Sequence, residues 1–385
     1  VPRRILHIID SLGRTGVTAQ MLSLARGLKS HGDDVHVAVL NAAPKLDRSI
    51  WGAELPVVNI GRRWSIDPLA DLRLARYIGE LQPDIVHTWN TVPGMFGPHA
   101  ARFIRLQGQL GGWGRVRRGG SGAVYPRLVA GFYRIDQLQP AWDAWWMRQF
   151  SRSAERIVTN SNTVRDWCIA NDLPAEKMIV IPPGVPSALH GDVSRGQLLK
   201  ELKLPPDARL IGVIGRLVPE KRVQDLIWAA DLLRVLHDNL RMLIIGDGPL
   251  RTQLEQYARM ASDLDHIRFL GVRDDLSRIV PHLDVLWNGS DNRSVSIAMI
   301  DAMAAGVPVV ASDVPVNREI VVHGETGFLI PVGRRSGRAD RARYTDRIFT
   351  DSTLADRLRT AAIENAMSKF SLEALVHRHQ PLYGT

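Results

Sequence analysis

Leu210-Ile-Gly-Val-Ile-Gly215 leads directly into Arg216-Leu-Val-Pro-Glu-Lys221, and an amphipathic run at 223–236 follows. An apolar run, a tight turn and a helical period give the order strand, turn, helix. The turn places Arg216 and Lys221 at the carboxyl end of a strand, beside the amino end of a helix. Backbone N–H groups and the helix dipole favour an anion there, and open α/β sheets bind ligands along that edge. An arginine fork and a lysine point charge suit a diphosphate, each charge-assisted hydrogen bond contributing about 1.5–3 kcal/mol. Without an anion, cations at that place would oppose the dipole.

A second stretch extends the reading. Asp301-Ala-Met-Ala-Ala-Gly306-Val-Pro-Val-Val310 reads as a helix that ends in a Gly-x-Pro turn and enters a buried strand. Asp301 is its one carboxylate, and its Ala, Met and Ile neighbours imply partial burial that calls for a partner. A carboxylate accepts from two neighbouring hydroxyls, as a ribose presents them. Together the two stretches point to a site for a nucleoside-diphosphate sugar.

Outward from these runs the chain alternates strand and helix. In the first half, strands are expected at 5–9, 35–40, 57–60, 85–89, 156–159 and 178–181. Helices are expected at 18–31, 68–81, 95–106, 142–150 and 164–171. A stretch rich in Pro and polar residues, from Pro182-Pro183-Gly184 to Pro205-Pro206, reads as an interdomain hinge. Beyond it, strands are expected at 210–215, 242–245, 267–270, 285–287 and 307–311, with helices between them and at 354–367 and 371–379. Strands separated by helices imply parallel sheets covered on both faces. The expected architecture is α/β: two Rossmann-like domains facing each other across a cleft.

Composition is compatible with this. A chain of 385 residues can hold two cores. The excess of 49 Lys and Arg over 40 Asp and Glu suits an acidic partner, whether phosphate-bearing substrate, anionic membrane or nucleic acid. The single Cys168 leaves no intramolecular disulfide and no cysteine metal cluster, which fits a reducing compartment. Val1-Pro-Arg-Arg runs straight into the strand-like 5–9, so no signal peptide is expected. No apolar stretch approaches the roughly 18 residues that a spanning helix needs, so any membrane contact would be peripheral.

The segment 108–148 differs from the rest. Gly108, Gly111, Gly112, Gly114, Gly119, Gly120 and Gly122 punctuate it, with Arg115, Arg117 and Arg118 among them. Tyr125, Arg127, Phe132, Tyr133, Arg134, Trp142, Trp145, Trp146 and Arg148 continue it. Aromatic residues with Arg suit an anionic membrane surface. The spacing of Trp142, Trp145 and Trp146 equally fits a helix's core face, which is the preferred reading for those three. No nucleic-acid-binding module accompanies the patch, so nucleic acid is not the expected partner.

Five runs in order resemble the retaining, GT-B-fold glycosyltransferases grouped as family 4 (glycosyl transferases group 1). They are Gly215–Lys221, Ile245-Gly-Asp-Gly-Pro249, Phe269-Leu-Gly271, Asp301–Asp313 and Gly324-Glu-Thr-Gly-Phe-Leu-Ile330. Gly16, Pro83-Asp-Ile-Val-His87, Val158-Thr-Asn-Ser161 and Val180-Ile-Pro-Pro-Gly-Val185 fit the same family's first domain. The likeness covers nearly the whole chain.

The resemblance implies an acceptor domain at 1–185, completed by a final helix at about 371–385, and a donor domain at 186–370. It implies that Arg216 and Lys221 neutralise the departing diphosphate, and that Asp301 binds the ribose hydroxyls. Backbone N–H groups at Ser296, Ile297 and Ala298 would support a phosphate. Gly16 would let the first loop approach the phosphates, and His87 would face the donor sugar. Gly246 and Asp247 would border the nucleotide pocket, although Asp247-Gly248 could simply close its strand. His87 has a plain alternative as well, a histidine hydrogen-bonded locally after an apolar strand. The donor would be a UDP- or GDP-linked sugar with no metal and no other cofactor, and the acceptor a saccharide or lipid-linked hydroxyl. Surface polysaccharide or lipopolysaccharide assembly, in the cytoplasm or peripherally on the inner face of its membrane, is the expected setting.

The sequence departs from the family pattern at the first of two paired acids, at Ser294-Val295-Ser296 in place of a Gly-aromatic-Gly stretch, and at Thr15 and Thr18 in place of a paired glycine and glutamate near Gly16. The family usually carries two glutamates eight positions apart; here the second is Asp301 and the first is Arg293. Guanidinium only donates, so Arg293 cannot accept from sugar hydroxyls. Three explanations stand: Arg293 meets an anionic group, Asp291 supplies the acceptor, or the protein binds nucleotide without transferring well. A silent nucleotide-sugar-binding protein and a nucleotide-sugar epimerase are therefore the alternatives to a transferase. Asn288-Gly-Ser290 and Asn292-Arg-Ser294 meet the glycosylation rule but fall inside the expected site.

Overall fold

The apolar runs of the sequence become parallel strands buried on both faces, as strands covered by helices must be. The computed structural model describes residues 2–41, 54–64, 67–90, 118–119, 122–123, 126–133, 141–186, 193–261, 265–291, 294–333 and 335–384. It divides into two compact units, Val1–Gly184 with Leu372–Thr385, and Val185–Ser371.

The first unit contains β1 (Arg4–Ile9), β2 (Asp34–Asn41), β3 (Val57–Arg62) and β4 (Ile85–Trp89). The short β5 (Arg118–Gly119) and β6 (Gly122–Ala123) pair antiparallel. β7 (Arg127–Phe132), β8 (Arg156–Thr159) and β9 (Met178–Val180) complete the unit's strands. Its sheet has the order β3-β2-β1-β4-β7-β8-β9, with parallel pairings throughout. Helices start where the chain offers caps: Thr15 before Gly16–Ser30, Asp67 with Pro68 before Pro68–Leu81, and Ser161 before Asn162–Ala170. The final helix, Leu372–His379, returns to this unit and buries Leu375 and Val376 beside Leu24 and Leu28.

The second unit holds β10 (Arg209–Ile214), β11 (Leu240–Ile245), β12 (Ile267–Gly271), β13 (Val285–Asn288), β14 (Val309–Ser312) and β15 (Gly327–Ile330). All pairings are parallel, in the order β12-β11-β10-β13-β14-β15. The chain first builds outward from β10 on one side and then resumes on the other. The β10/β13 boundary is therefore a topological switch point, the place at the carboxyl ends of the strands where open α/β sheets generally bind ligands. Separate cores fill the two faces, one around Ile227, Leu233 and Trp287, the other around Leu243, Leu286 and Met303.

Two of the differences from the reading of the sequence lie in its aromatic segment. Phe132 and Tyr133, grouped above with a basic and aromatic surface, are 5% and 1% exposed. They end and follow β7, a strand the sequence left irregular because its short apolar run lies next to the glycine- and arginine-rich stretch. Trp145, read as part of a helix's core face, is half exposed within Ala141–Ser153. The side chains of Trp142 and Trp146, the helix expected at 95–106, and residues 108–117 lie outside the described residues. Among the described residues no helix is long and apolar enough to cross a membrane.

Candidate functional site

Three loops of the second unit meet at the switch point. The loop after β10 holds Gly215, Arg216 and the single-turn Pro219–Lys221, which delivers the chain to the helix Val223–Arg234. The loop after β11 is stitched to it backbone to backbone: Leu217 N donates to Asp247 O at 2.9 Å, and Leu250 N to Leu217 O at 3.1 Å. Gly246 has φ +138, and a Cβ there would lie 2.0 Å from Gly215 O. No other residue fits so close an approach of two loops. On the opposite side the loop after β13 joins in. Asp291 N donates to Glu220 O at 3.0 Å, and Lys221 Nζ donates to Ser290 Oγ at 3.0 Å.

The cations of this edge differ in what they touch. Arg216 is exposed and makes no side-chain hydrogen bond or ion pair among the described residues. Arg222, next to Lys221, is committed to Asp225 and, at 3.4 Å, to Asp291. Asp291 is thereby engaged in the described structure, and Arg293 lies outside the described residues.

The helix Ile297–Ala304 follows β13. Ser296 is its N-cap residue but makes no side-chain cap bond, so the first-turn N–H groups near Ile297 and Ala298 have no capping side chain. Asp301 lies one turn further along the same face as Ile297. Its carboxyl makes no hydrogen bond among the described residues, and burial pushes it up to about 7. A desolvated carboxyl without a cation is a poor neighbour for water-free protein and a good acceptor for a ligand hydroxyl. Asp247 is exposed; its Oδ1 accepts from Gly248 N at 2.7 Å and its Oδ2 lies 3.7 Å from Arg251. Its carboxylate closes its own turn.

Gly16 and His87 belong to the first unit. Gly16 opens the helix after β1, exposed and preceded by Thr15, whose hydroxyl accepts from Thr18 N at 3.2 Å. His87 requires a correction. Expected to face a donor sugar, it is fully buried on the central strand β4. Its Nδ1 lies 2.7 Å from Tyr383 Oη and its Nε2 2.9 Å from Tyr133 Oη, so both ring nitrogens are used inside the core. It stacks on Trp89, 4.9 Å between centroids, beside His7 and His379. Burial, then the charges that His7 and His379 would carry, hold it neutral, well below the usual histidine range. The local reading is the one the structure shows.

The structure thus brings Arg216, Lys221, Gly246, Asp247 and the start of the Asp301 helix to one edge of the second unit's sheet. Sequence reasoning missed the inward contacts of Asn288 and Ser290; a glycosylation tripeptide inside the site was the available signal. Among the described residues no group of three or more His, Cys, Asp or Glu is arranged to hold a metal ion.

Residues 194–366 match the family described as Glycosyl transferases group 1, and residues 14–189 match Glycosyltransferase Family 4. The N-acetyl-alpha-D-glucosaminyl L-malate synthase of Bacillus anthracis is 28% identical over 187 residues, 49% of this chain and 48% of the relative. The GDP-mannose-dependent alpha-mannosyltransferase of Mycobacterium tuberculosis is 28% identical over 268 residues, 68% of this chain and 64% of the relative. The matched part therefore spans about half to two thirds of these relatives' lengths. The crystal structure of Anabaena HepE in complex with UDP and glucose matches with a TM-score of 0.83 at 18% identity, covering 100% of each chain. That last likeness is one of fold.

Proposed function

The chain belongs to the family 4, group 1 glycosyltransferases, whose GT-B architecture of two Rossmann-like domains it shares, and on that premise we propose that it transfers a sugar from a nucleoside diphosphate to an acceptor hydroxyl. The observation that carries this reading is the pair Arg216 and Lys221 at the β10/β13 switch point, on the same sheet edge that the Asp301 helix follows. The second unit holds the donor and the first unit the acceptor.

The roles follow from the chemistry of each group. Arg216 and Lys221 bind the diphosphate and neutralise the charge that grows on it as the anomeric carbon–oxygen bond breaks. They supply the neutralisation that a metal ion supplies elsewhere. First-turn N–H groups at Ser296, Ile297 and Ala298 add donors to a phosphate. Asp301 accepts from the ribose hydroxyls as a carboxylate. The acceptor oxygen bonds to the anomeric carbon on the face that the diphosphate leaves, and its proton passes to the departing phosphate oxygen, so configuration is retained. His87, buried with both nitrogens engaged, takes no part at the reacting atoms in this reading.

A UDP- or GDP-linked donor is supported by the names of the relative and of the structural neighbour above. The basic net charge suits an acceptor on an anionic membrane, and surface polysaccharide or lipopolysaccharide assembly on the cytoplasmic side is the setting we propose. The test is transfer from radiolabelled UDP- and GDP-sugars, with and without a membrane lipid extract. Label should move to an acceptor with wild type, while Arg216→Ala and Lys221→Ala lose about 10²-fold or more in turnover, as when one donor to developing charge is removed. Equal transfer by both variants and wild type rules out the assignment. Conversion of the sugar with no acceptor present identifies an epimerase instead.

A further inference from the structure

Asn288-Gly-Ser290 meets the rule for a glycosylated tripeptide, yet Asn288 and Ser290 are only 8% and 4% exposed. Their polar atoms are spent inside the protein. We propose that this tripeptide is a clamp that aims the Lys221 ammonium, with Ser290 as its positioning residue; the inference rests on the donor-site reading above and deepens it.

Each member of the tripeptide holds a different part. Ser290 Oγ accepts from Lys221 Nζ at 3.0 Å. Ser290 N donates to Asn288 Oδ1 at 2.8 Å, which fixes the serine relative to the end of β13. Asn288 Nδ2 donates to Met299 Sδ at 2.8 Å, and Met299 lies in the first turn and a half of the helix that carries Asp301. Gly289 packs directly on the lysine's own backbone: a Cβ there would lie 2.9 Å from Lys221 O and 3.0 Å from Leu226 Cδ2. Asp291 N, the next donor along, bonds Glu220 O. A hydrogen-bonded chain therefore leads from the diphosphate-binding cation to the ribose-binding helix.

The physical effect is preorganisation. A lysine side chain has four rotatable bonds, and a free ammonium would lose that freedom each time a donor bound. A serine oxygen already holding the ammonium removes part of that loss and keeps the charge where it must act. Because a hydroxyl oxygen is required, threonine can replace serine and alanine cannot.

The experiment compares Ser290→Ala and Ser290→Thr with wild type and Lys221→Ala, reading donor KM and kcat. Ser290→Ala should lower kcat/KM about tenfold, the effect of losing one hydrogen bond to a charged group, and Ser290→Thr should restore it. A Ser290→Ala enzyme with wild-type kcat/KM overturns the clamp, as does a Ser290→Thr enzyme no better than Ser290→Ala. Should Lys221→Ala itself behave as wild type, the donor-site reading fails, which separates the two failures.

Discussion

Asp301 carries the sharpest prediction at the scale of one residue. Burial raises its carboxyl from 3.8 to about 7 in the folded protein. The raised value means that the free protein holds a proton there up to near neutrality, a state that cannot accept from both hydroxyls of a ribose. Nucleotide binding by the carboxylate must then release a proton and strengthen as pH rises through about 7. UDP or GDP affinity, measured between pH 6 and 8, should increase with pH more steeply in wild type than in the weaker Asp301→Asn, because the ligand's terminal phosphate titrates at about 6 with both proteins. A dependence no steeper in wild type than in the variant removes the carboxylate from the site. Asp301 was legible in the sequence because its neighbours on one helix reveal its burial. The environment of His87 was not: its partners Tyr133 and Tyr383 lie 46 and 296 positions away, and no local pattern announces such contacts.

At the scale of elements, the same distance in sequence becomes a structural bond. His7 on β1, His87 on β4 and His379 on the final helix pack together without exposure to water. Burial pushes His7 down to about 3 and His379 to about 4, and His87 well below 6.5. Folded values below the unfolded 6.5 mean that the unfolded chain takes up protons the core refuses. Their stabilising contribution is therefore complete above pH 6.5 and is lost as pH falls through 6.5 towards 4. Urea unfolding at a series of pH values should show the midpoint falling across that window, with a shallower fall in His379→Gln. A midpoint independent of pH in wild type contradicts a neutral cluster. Most strands and helices were legible because apolar runs alternate with amphipathic ones. β7 was not, since its run Leu128-Val-Ala-Gly-Phe132 is flanked by arginine, glycine and aromatic residues that resemble a surface. The helix Arg335–Thr350 was hidden in the same way, its buried Ala342, Ile348 and Phe349 diluted by charge.

For the whole molecule, the chain builds one parallel sheet, builds a second, and returns with Leu372–His379 to complete the core of the first. The second sheet reverses direction of growth at β10/β13, and Arg216 and Lys221 sit in the loop that this reversal leaves open. That position was legible from a dozen residues, because strand, turn and helix follow one another without interruption. What completes it, the Asn288-Gly-Ser290 contacts, depends on two loops brought together by sheet order, which no single stretch encodes. The central claim is that this edge binds a nucleoside diphosphate through those two cations. Isothermal titration of UDP and of GDP into wild type and into the Arg216→Ala, Lys221→Ala double variant tests it most directly. Saturable heat with at least one diphosphate, weakened about tenfold or more in the double variant, is the predicted result; equal affinity in both proteins, or no binding of either diphosphate to wild type, would contradict it.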